Sequence, residues 1–180
     1  MLKEMIYKRI YLLGMPSSGK STFGKALSLA LKWDFIDLDQ LIEQQEGTRV
    51  SEVFEQKGEA YFRKAEENIL QSALPIHTVI ATGGGTPCFF NNMDFINKNG
   101  ISLYLEVPVA VLAKRSLLQH GQRPLLNHVS SESEMTLLLK EKLAAREQFY
   151  QQAHLRLLPA DQQAEKAIAE IKQYFPNFAV

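Results

Sequence analysis

The stretch GMPSSGKS, residues 14–21, constrains the fold more than any other part of this sequence. It fits the pattern G-x-x-x-x-G-K-[ST], which requires a buried strand before it and a helix after it. Both are indicated here, because residues 10–13 form an apolar run and apolar residues recur at helical spacing from Phe23 onwards. A strand, a glycine-rich loop and a helix in this order direct backbone N–H groups at a phosphate group. A plain glycine and serine turn is the structural alternative.

The composition of this loop is typical of a triphosphate site. Lys20 can reach the β- and γ-phosphates, and the Ser21 hydroxyl can ligate Mg²⁺, which prefers hard oxygen ligands. Glycines permit the dihedrals and the close approach that inward-facing N–H groups need. We therefore predict that the nucleotide phosphates are bound by Ser17, Ser18, Gly19, Lys20, Ser21 and Thr22.

Short β-like runs alternate with helical patterns along the chain. We predict strands at residues 10–13, 34–37, 78–82, 101–107 and 154–158. This alternation implies right-handed crossovers and a parallel sheet covered on both faces, which is an α/β fold. Residues 38–74 carry only helical signals, so we predict a helical insertion there, with Ser51 as an N-cap. Residues 119–133 are polar and indicate a mobile loop.

Length and composition narrow the class of protein. A chain of 180 residues suffices for one domain with a hydrophobic core. Lys plus Arg and Asp plus Glu both number 20, which argues against a dedicated nucleic-acid binder. The single cysteine, Cys88, fits a reducing cytoplasm, and no apolar run approaches the ~20 residues that cross a bilayer. We expect one cytoplasmic domain, residues 1–180, with neither a nucleic-acid nor a membrane partner.

Two carboxylates follow the second predicted strand in the segment DLD. Alternation along an extended chain would put Asp37 and Asp39 on the same side, beyond the carboxyl end of the strand. Ligands of open α/β sheets bind at that end. One carboxylate can face a metal ion, and the other can accept a hydrogen bond from a substrate hydroxyl and assist its deprotonation. The alternative is that one of them, Asp39 above all, only caps the following helix.

Glycines and arginines supply the remaining candidates. The segment TGGG, residues 82–85, would expose backbone N–H groups above the third strand, and it is not a dinucleotide fingerprint. An acceptor with a carboxylate would need planar guanidinium donors, for which Arg63, Arg123 and Arg146 are candidates. Glu66 and Glu67 follow Arg63 at helical spacing, so a surface ion pair is the alternative for that residue.

The phosphate loop alone does not define the reaction. A guanine-selecting Asn-Lys-x-Asp segment is absent, since NKNG at residues 97–100 lacks the aspartate. The other candidates favour phosphoryl transfer to a small polar acceptor. Two alternatives stay open, a kinase for another hydroxylated acceptor such as gluconate and a non-catalytic module that binds nucleotide. The complete set Lys20, Ser21, Asp37, Asp39 and Arg123 argues against the second.

Six motifs in this order resemble the shikimate kinase family: GMPSSGKST, FIDLDQLIE, GEAYFRKAE, ATGGG, RPLL and AREQFY. The resemblance implies a three-layer P-loop kinase fold of the nucleoside-monophosphate-kinase type. That fold has a five-stranded parallel sheet, a helical substrate-binding insertion at about residues 38–74 and a lid at about residues 119–133. The implied reaction is transfer of the ATP γ-phosphate, with Mg²⁺, to the 3-hydroxyl of shikimate, on the way to chorismate and aromatic amino acids. We further expect a monomer.

The resemblance also implies a role for each matching residue. Asp39 would bind the shikimate hydroxyls, and Arg63 and Arg146 would hold its carboxylate, with Glu66 orienting Arg63. Lys20, Asp39 and Arg123 would be catalytic. The remaining assignments are Gly83, Gly84 and Gly85 to the acceptor pocket, Asp37 and Ser21 to Mg²⁺, Arg123 to the phosphates from the lid, and Arg115 and Gln162 to the adenine.

Overall fold

The computed structural model describes residues 7–118, 129 and 131–178. Within them, five strands form one sheet in the order β2-β3-β1-β4-β5, with every neighbouring pair parallel. The strands are β1 Arg9–Leu13, β2 Asp34–Asp37, β3 Thr78–Ala81, β4 Ile101–Leu105 and β5 Leu155–Leu157. The predicted α/β fold with a five-stranded parallel sheet is confirmed. The strand β2 has the predicted bounds, and the other four differ from the predicted ones by one or two residues at their ends.

Continuous apolar runs explain the central position of β1 and β4 in the sheet. All five residues of β4 and the last four of β1 are buried, as a parallel sheet covered on both faces requires. The edge strand β2 contains no fully buried residue. The most hydrophobic runs of the sequence therefore occupy the middle of the sheet.

Seven α-helices within the described residues complete the outer layers: α1 Lys20–Leu31, α2 Leu38–Glu46, α3 Val50–Leu70, α4 Asn92–Asn99, α5 Val109–Leu118, α6 Glu132–Tyr150 and α7 Ala164–Tyr174. Alternate residues of β1 belong to different cores, with Tyr11 and Leu13 in one and Ile10 and Leu12 in the other. Residues of α3, α4 and α6 join the first core, and residues of α1 and α7 join the second. The result is a three-layer arrangement with the sheet in the middle.

The helical insertion between β2 and β3 differs from the prediction in two details. Arg49 precedes the first residue of α3, so Ser51, our predicted N-cap, lies inside the first turn. Gly58 interrupts α3 with φ 79° and ψ 168°, a conformation that is essentially restricted to glycine. The break lies just before Glu59, so the part of α3 that carries Arg63 is set off from the part that begins the helix.

The strand order brings three loops together. Leu12 of β1 pairs with Ala81 of β3, which in turn pairs with Asp37 of β2. The carboxyl ends of these strands therefore meet at one edge of the sheet, where open α/β folds bind ligands.

None of the helices in the described ranges has the combination of length and hydropathy that crossing a membrane requires.

Candidate active site

The loop between β1 and α1 curls around the ammonium group of Lys20. Nζ of Lys20 donates hydrogen bonds to the carbonyl oxygens of Gly14 at 2.9 Å and Met15 at 3.0 Å. The Ser18 hydroxyl oxygen lies 3.4 Å from the same nitrogen. Lys20 is buried although it is the first residue of a helix. A positive charge is thus held against the inner side of the loop, where phosphate oxygens can replace the carbonyl groups.

The backbone of this loop takes conformations that few residues tolerate. The φ angles are 143° at Gly14, 63° at Ser17 and 96° at Gly19. A Cβ atom on Gly14 would lie 2.8 Å from the carbonyl oxygen of Leu105, so a side chain has no room there. The hydroxyl of Ser17 accepts a hydrogen bond from that of Ser116 at 2.9 Å. Successive turns of this kind present N–H groups to an anion, as the sequence pattern predicts.

Ser21 and Asp37 place two hard oxygens at the mouth of the loop. The Ser21 hydroxyl donates to Oδ2 of Asp37 at 2.6 Å. Oδ1 of Asp37 accepts from the backbone N–H of Asp39 at 3.1 Å, which makes Asp37 the N-cap of α2. The described residues contain no cluster of three or more potential His, Cys, Asp or Glu metal ligands. A Mg²⁺ ion fits this pair only with water and phosphate oxygens as its other ligands, which is usual for that ion.

Asp39 reaches the cleft from a helix and not from a strand. The strand β2 ends at Asp37, and Asp39 lies in the first turn of α2. The prediction that strand alternation aligns the two carboxylates is therefore wrong, and the capping role that we considered for Asp39 belongs to Asp37. Both aspartates nevertheless line the same cleft. Oδ1 of Asp39 lies 3.0 Å from the position that a Cβ on Gly83 would occupy.

Arg63 and Glu66 form a buried ion pair, which corrects the surface pair that we considered from their spacing. Nη1 of Arg63 donates to Oε2 of Glu66 at 2.5 Å, and the two side chains are 6% and 1% exposed. Oε1 of Glu59 accepts from Nη2 of Arg63 at 2.9 Å, and Oε1 of Glu66 accepts from the Thr86 hydroxyl at 2.6 Å. Burial acts to lower the pKa of Arg63, but the carboxylates of Glu66 and Glu59 outweigh it and raise the pKa.

Aromatic rings enclose the same guanidinium group. The Arg63 Cζ atom lies 4.4 Å from the ring centre of Phe89, 5.3 Å from that of Phe62 and 5.7 Å from that of Phe54. A cation over an aromatic face is stabilised by the ring quadrupole. These rings are functional candidates that the sequence analysis did not single out.

The glycines at residues 83–85 lie where the candidate acceptor residues meet. A Cβ on Gly84 would lie 3.3 Å from Nη1 of Arg146, and one on Gly85 would lie 2.7 Å from Nη1 of Arg63. At Gly83 an added Cβ would collide with the carboxylate of Glu66. The structure thus brings Asp39, Arg63 and Arg146 together around a segment that has no space for side chains.

The helix α6 contributes further groups beside Arg146. Lys142 lies one turn before Arg146 and is half-buried, and burial together with the charges of Arg146 and Arg63 lowers its pKa. Tyr150 lies one turn after Arg146 and is fully buried. Neither Lys142 nor Tyr150 was a sequence-based candidate. Only their spacing of four residues from Arg146 could have indicated them.

The phosphate loop opens into a cleft of about 910 Å³, which is large enough for a nucleotide. Arg115 lies over the loop, with Nη1 3.4 Å from the carbonyl oxygen of Ser17. Gln162 lines the cleft, and its amide donates to the carbonyl oxygens of Glu106 at 3.2 Å and Leu157 at 3.1 Å. Arg123 lies outside the described residues, as do residues 119–128 and 130 of the predicted lid.

A triphosphate-binding loop that shares an edge of the sheet with a carboxylate and two guanidinium groups has a narrow range of uses. The molecule is a small-molecule kinase of the P-loop class. The family model of shikimate kinase matches residues 16–175. The chain belongs to the shikimate kinase family.

Relatives and solved structures agree with this assignment. A shikimate kinase of Parabacteroides distasonis is 41% identical over 164 residues, which cover 91% of both chains. The crystal structure of shikimate kinase from Bacteroides thetaiotaomicron superposes with a TM-score of 0.82 at 36% identity and covers 92% of this chain and 96% of its own. Shikimate kinase from Acinetobacter baumannii, in complex with shikimate, gives a TM-score of 0.81 at 31% identity, with 97% and 96% covered.

Proposed function

We propose that this protein transfers the γ-phosphate of ATP to the 3-hydroxyl of shikimate, forming shikimate 3-phosphate for the synthesis of chorismate and aromatic amino acids. Membership of the shikimate kinase family supports this activity. The observation that carries it is the meeting of Asp39, Arg63 and Arg146 at glycines 83–85, beside the phosphate loop. A small acid with hydroxyl groups fits these partners, because guanidinium groups bind carboxylates and an aspartate accepts from alcohols.

ATP is the phosphate donor, and its phosphates occupy the loop around Lys20. The loop carbonyls that now hold the ammonium group would release it to the β- and γ-phosphates, while loop N–H groups donate from the other side. The adenine extends along the cleft towards Arg115 and Gln162, which both line it. The nucleotide ligands that we propose are Ser17, Ser18, Gly19, Lys20, Ser21, Thr22, Arg115 and Gln162.

Ser21 and Asp37 would hold Mg²⁺. Their oxygens are close enough to share one ion, and hard oxygens are the ligands it prefers. The ion would supply charge neutralisation on the phosphates. The Ser21 hydroxyl, which now donates to Asp37, would then turn a lone pair to the ion.

The acceptor carboxylate would bind between Arg63 and Arg146. Glu66, Glu59 and the aromatic rings hold Arg63 in place before the acceptor arrives, so little ordering is needed on binding. Asp39 would accept a hydrogen bond from the attacking hydroxyl, orient it and assist its deprotonation. Glycines 83–85 would allow the acceptor ring to approach the backbone.

Catalysis would consist chiefly of positioning and charge stabilisation, because phosphoryl transfer has a loose transition state. Lys20 would neutralise charge that develops on the transferred group. Arg123 would add a second positive charge from the segment 119–133, which we propose as the lid. The roles of Arg123 and of the lid rest on the family resemblance carried by the RPLL motif.

We also propose one functional domain over residues 1–180, in which the insertion 38–74 binds the acceptor. A monomer suffices, because one chain contributes the phosphate loop, Asp39, Arg63 and Arg146. The single cysteine supports an enzyme that works in the cytoplasm. Light scattering of the protein as it elutes from a size-exclusion column measures its mass. The mass of a dimer would contradict the proposed monomer.

A coupled ADP-release assay tests the activity. The panel contains shikimate, gluconate and no acceptor, each with ATP and magnesium. We expect ADP release with shikimate alone, and Arg146→Ala should raise the KM for shikimate about 100-fold with a small effect on the KM for ATP. The exposed Arg49→Ala serves as the control. Turnover of gluconate alone would support the alternative acceptor, and ATP binding without any turnover would support a binding module.

A further inference from the structure

Tyr150 is buried between the acceptor pocket and the core. Its ring stacks on that of Tyr104 in β4, with 5.0 Å between ring centres and 24° between planes. Its hydroxyl donates a hydrogen bond to the carbonyl oxygen of Gly84 at 2.5 Å and lies 3.8 Å from the sulfur of Met15. A fully buried phenol thus connects the end of α6 to the glycine segment and to the phosphate loop.

The Gly84 carbonyl belongs to a peptide unit that needs an external constraint. The same peptide plane contains the N–H group of Gly85. Because the peptide is trans, the Gly84 carbonyl and the Gly85 N–H group point in opposite directions. Glycine has no side chain to restrict rotation of this unit. Within the described residues, no hydrogen bond of the Gly85 N–H group to a carbonyl oxygen occurs. The hydrogen bond from Tyr150 therefore holds one end of the peptide and leaves the other available.

The available end lies at the acceptor pocket. Gly85 is next to the Arg63 guanidinium group, and Gly84 is next to that of Arg146. We propose that Tyr150 is a positioning residue for the acceptor: its hydroxyl fixes the Gly84–Gly85 peptide so that the Gly85 N–H group donates to the bound acid. This inference rests on the proposed function, because it assumes that the acid occupies the pocket at glycines 83–85.

The protonation state of the Tyr150 hydroxyl suits its role as a hydrogen-bond donor. Burial raises the pKa of Tyr150 well above the usual range, and this outweighs the lowering effect of the nearby Arg146 charge. The hydroxyl is therefore protonated, and able to donate, at neutral pH. Because the ring is stacked and fully buried, the donor also has little freedom to move.

The test compares Tyr150→Phe with Tyr104→Phe. Each variant removes one hydroxyl from the same ring stack, but the Tyr104 hydroxyl makes no hydrogen bond with the residues that the structure describes. We expect Tyr150→Phe to raise the KM for shikimate about tenfold, with kcat and the KM for ATP within about twofold of the wild type. Tyr104→Phe should leave all three constants within about twofold. Thermal unfolding of both variants reports any loss of the fold.

The outcomes separate this inference from the proposed function. Equal changes in the two variants, or an unchanged KM for shikimate in Tyr150→Phe, would show that the hydroxyl only packs the core. A loss that falls on ATP instead would place the contact at the phosphate loop and overturn the inference. If the wild type does not phosphorylate shikimate, or Arg146→Ala binds it normally, the proposed function itself fails.

Discussion

Lys20 has its charge satisfied before any nucleotide binds. The carbonyl oxygens of Gly14 and Met15 accept from its ammonium group inside the loop, so the side chain is already ordered beside the proposed phosphate site. The cost of ordering a flexible lysine is therefore met on folding and not on binding. Such preorganisation is the usual source of electrostatic stabilisation in enzymes.

We predict that Lys20→Ala lowers kcat by about 100- to 1,000-fold, because one preorganised positive contact to the transferred phosphate is lost. Lys25→Ala on the same helix is the control, since the Lys25 side chain is exposed and contacts only the Phe35 ring among the side-chain interactions that the structure describes. Steady-state kinetics and circular dichroism of both variants check the prediction. A Lys20→Ala enzyme with near-normal kcat would remove Lys20 from the chemistry.

Cys88 lies beside the proposed acceptor pocket but is a poor nucleophile. Burial, and to a smaller extent the charge of Glu66, raises the pKa of the thiol to about 11, against the lowering effect of Arg146 and Arg63. We predict that iodoacetamide at pH 8 alkylates the folded protein at least about 100-fold more slowly than it alkylates a free thiol. Mass spectrometry reads this directly, because the chain has one cysteine. Denaturation in urea should restore the ordinary rate, and fast labelling of the folded protein would contradict the shift.

At the scale of elements, apolar periodicity predicted the strands and the helices, and the glycine-lysine motif predicted the phosphate loop. These features depend on local sequence, such as the apolar runs of β1 and β4 and the glycine spacing between β1 and α1. The sequence also predicted the edge of the sheet at which the motifs meet, because the carboxyl ends of parallel strands lie at the same edge.

Features that depend on tertiary contacts could not be read from spacing. The burial of the Arg63–Glu66 pair requires Thr86 and Phe89 from a segment twenty or more positions away. Asp39 was misplaced because its helix begins one residue after the strand, and element boundaries are set by competing hydrogen bonds. The grouping of Arg63 and Arg146 was expected only from the family resemblance.

Gly58 gives an element-scale prediction. An alanine at φ 79° and ψ 168° is strained although an added Cβ would meet nothing within 4 Å, so Gly58→Ala should lower the free energy of unfolding by about 1–3 kcal/mol. It should also raise the KM for shikimate, because a straightened α3 would displace Arg63. Gly47→Ala is the matched control, since Gly47 also has a positive φ, 69°, and open space, but caps α2.

Urea titrations and acceptor kinetics of both glycine variants distinguish the two effects. Gly47→Ala should lose stability and keep its KM. The role that we give to the break in α3 is wrong if both variants bind shikimate normally.

At the scale of the whole molecule, His154 links stability to pH from the end of the sheet opposite the cleft. Its Nδ1 atom accepts from the backbone N–H of Ser102 at 3.1 Å, and its ring contacts Tyr7 and Phe175. Burial lowers the pKa of His154 below its ordinary value. His154 therefore binds a proton less readily in the folded protein than in the unfolded chain.

The sign of the effect follows from proton linkage. Below the ordinary histidine pKa of about 6.5, the unfolded state binds more protons, so stability decreases as the pH falls. We predict a smaller loss between pH 7.5 and 5.5 for His154→Asn, whose side-chain oxygen can also accept from Ser102. Urea unfolding at both pH values measures it, and identical losses in variant and wild type would exclude His154 as the cause.

The contact between the loop after β1 and the segment after β3 has a consequence for how such an enzyme can change its specificity. A Cβ on Gly84 would lie 2.9 Å from the ring of Pro16, so one wall of the proposed acceptor pocket is also the outer wall of the phosphate loop. Enlarging the pocket from that wall would disturb the nucleotide at the same time. A change of acceptor would therefore require substitutions on the opposite wall, among the side chains of α3 and α6. The two loops would stay unchanged.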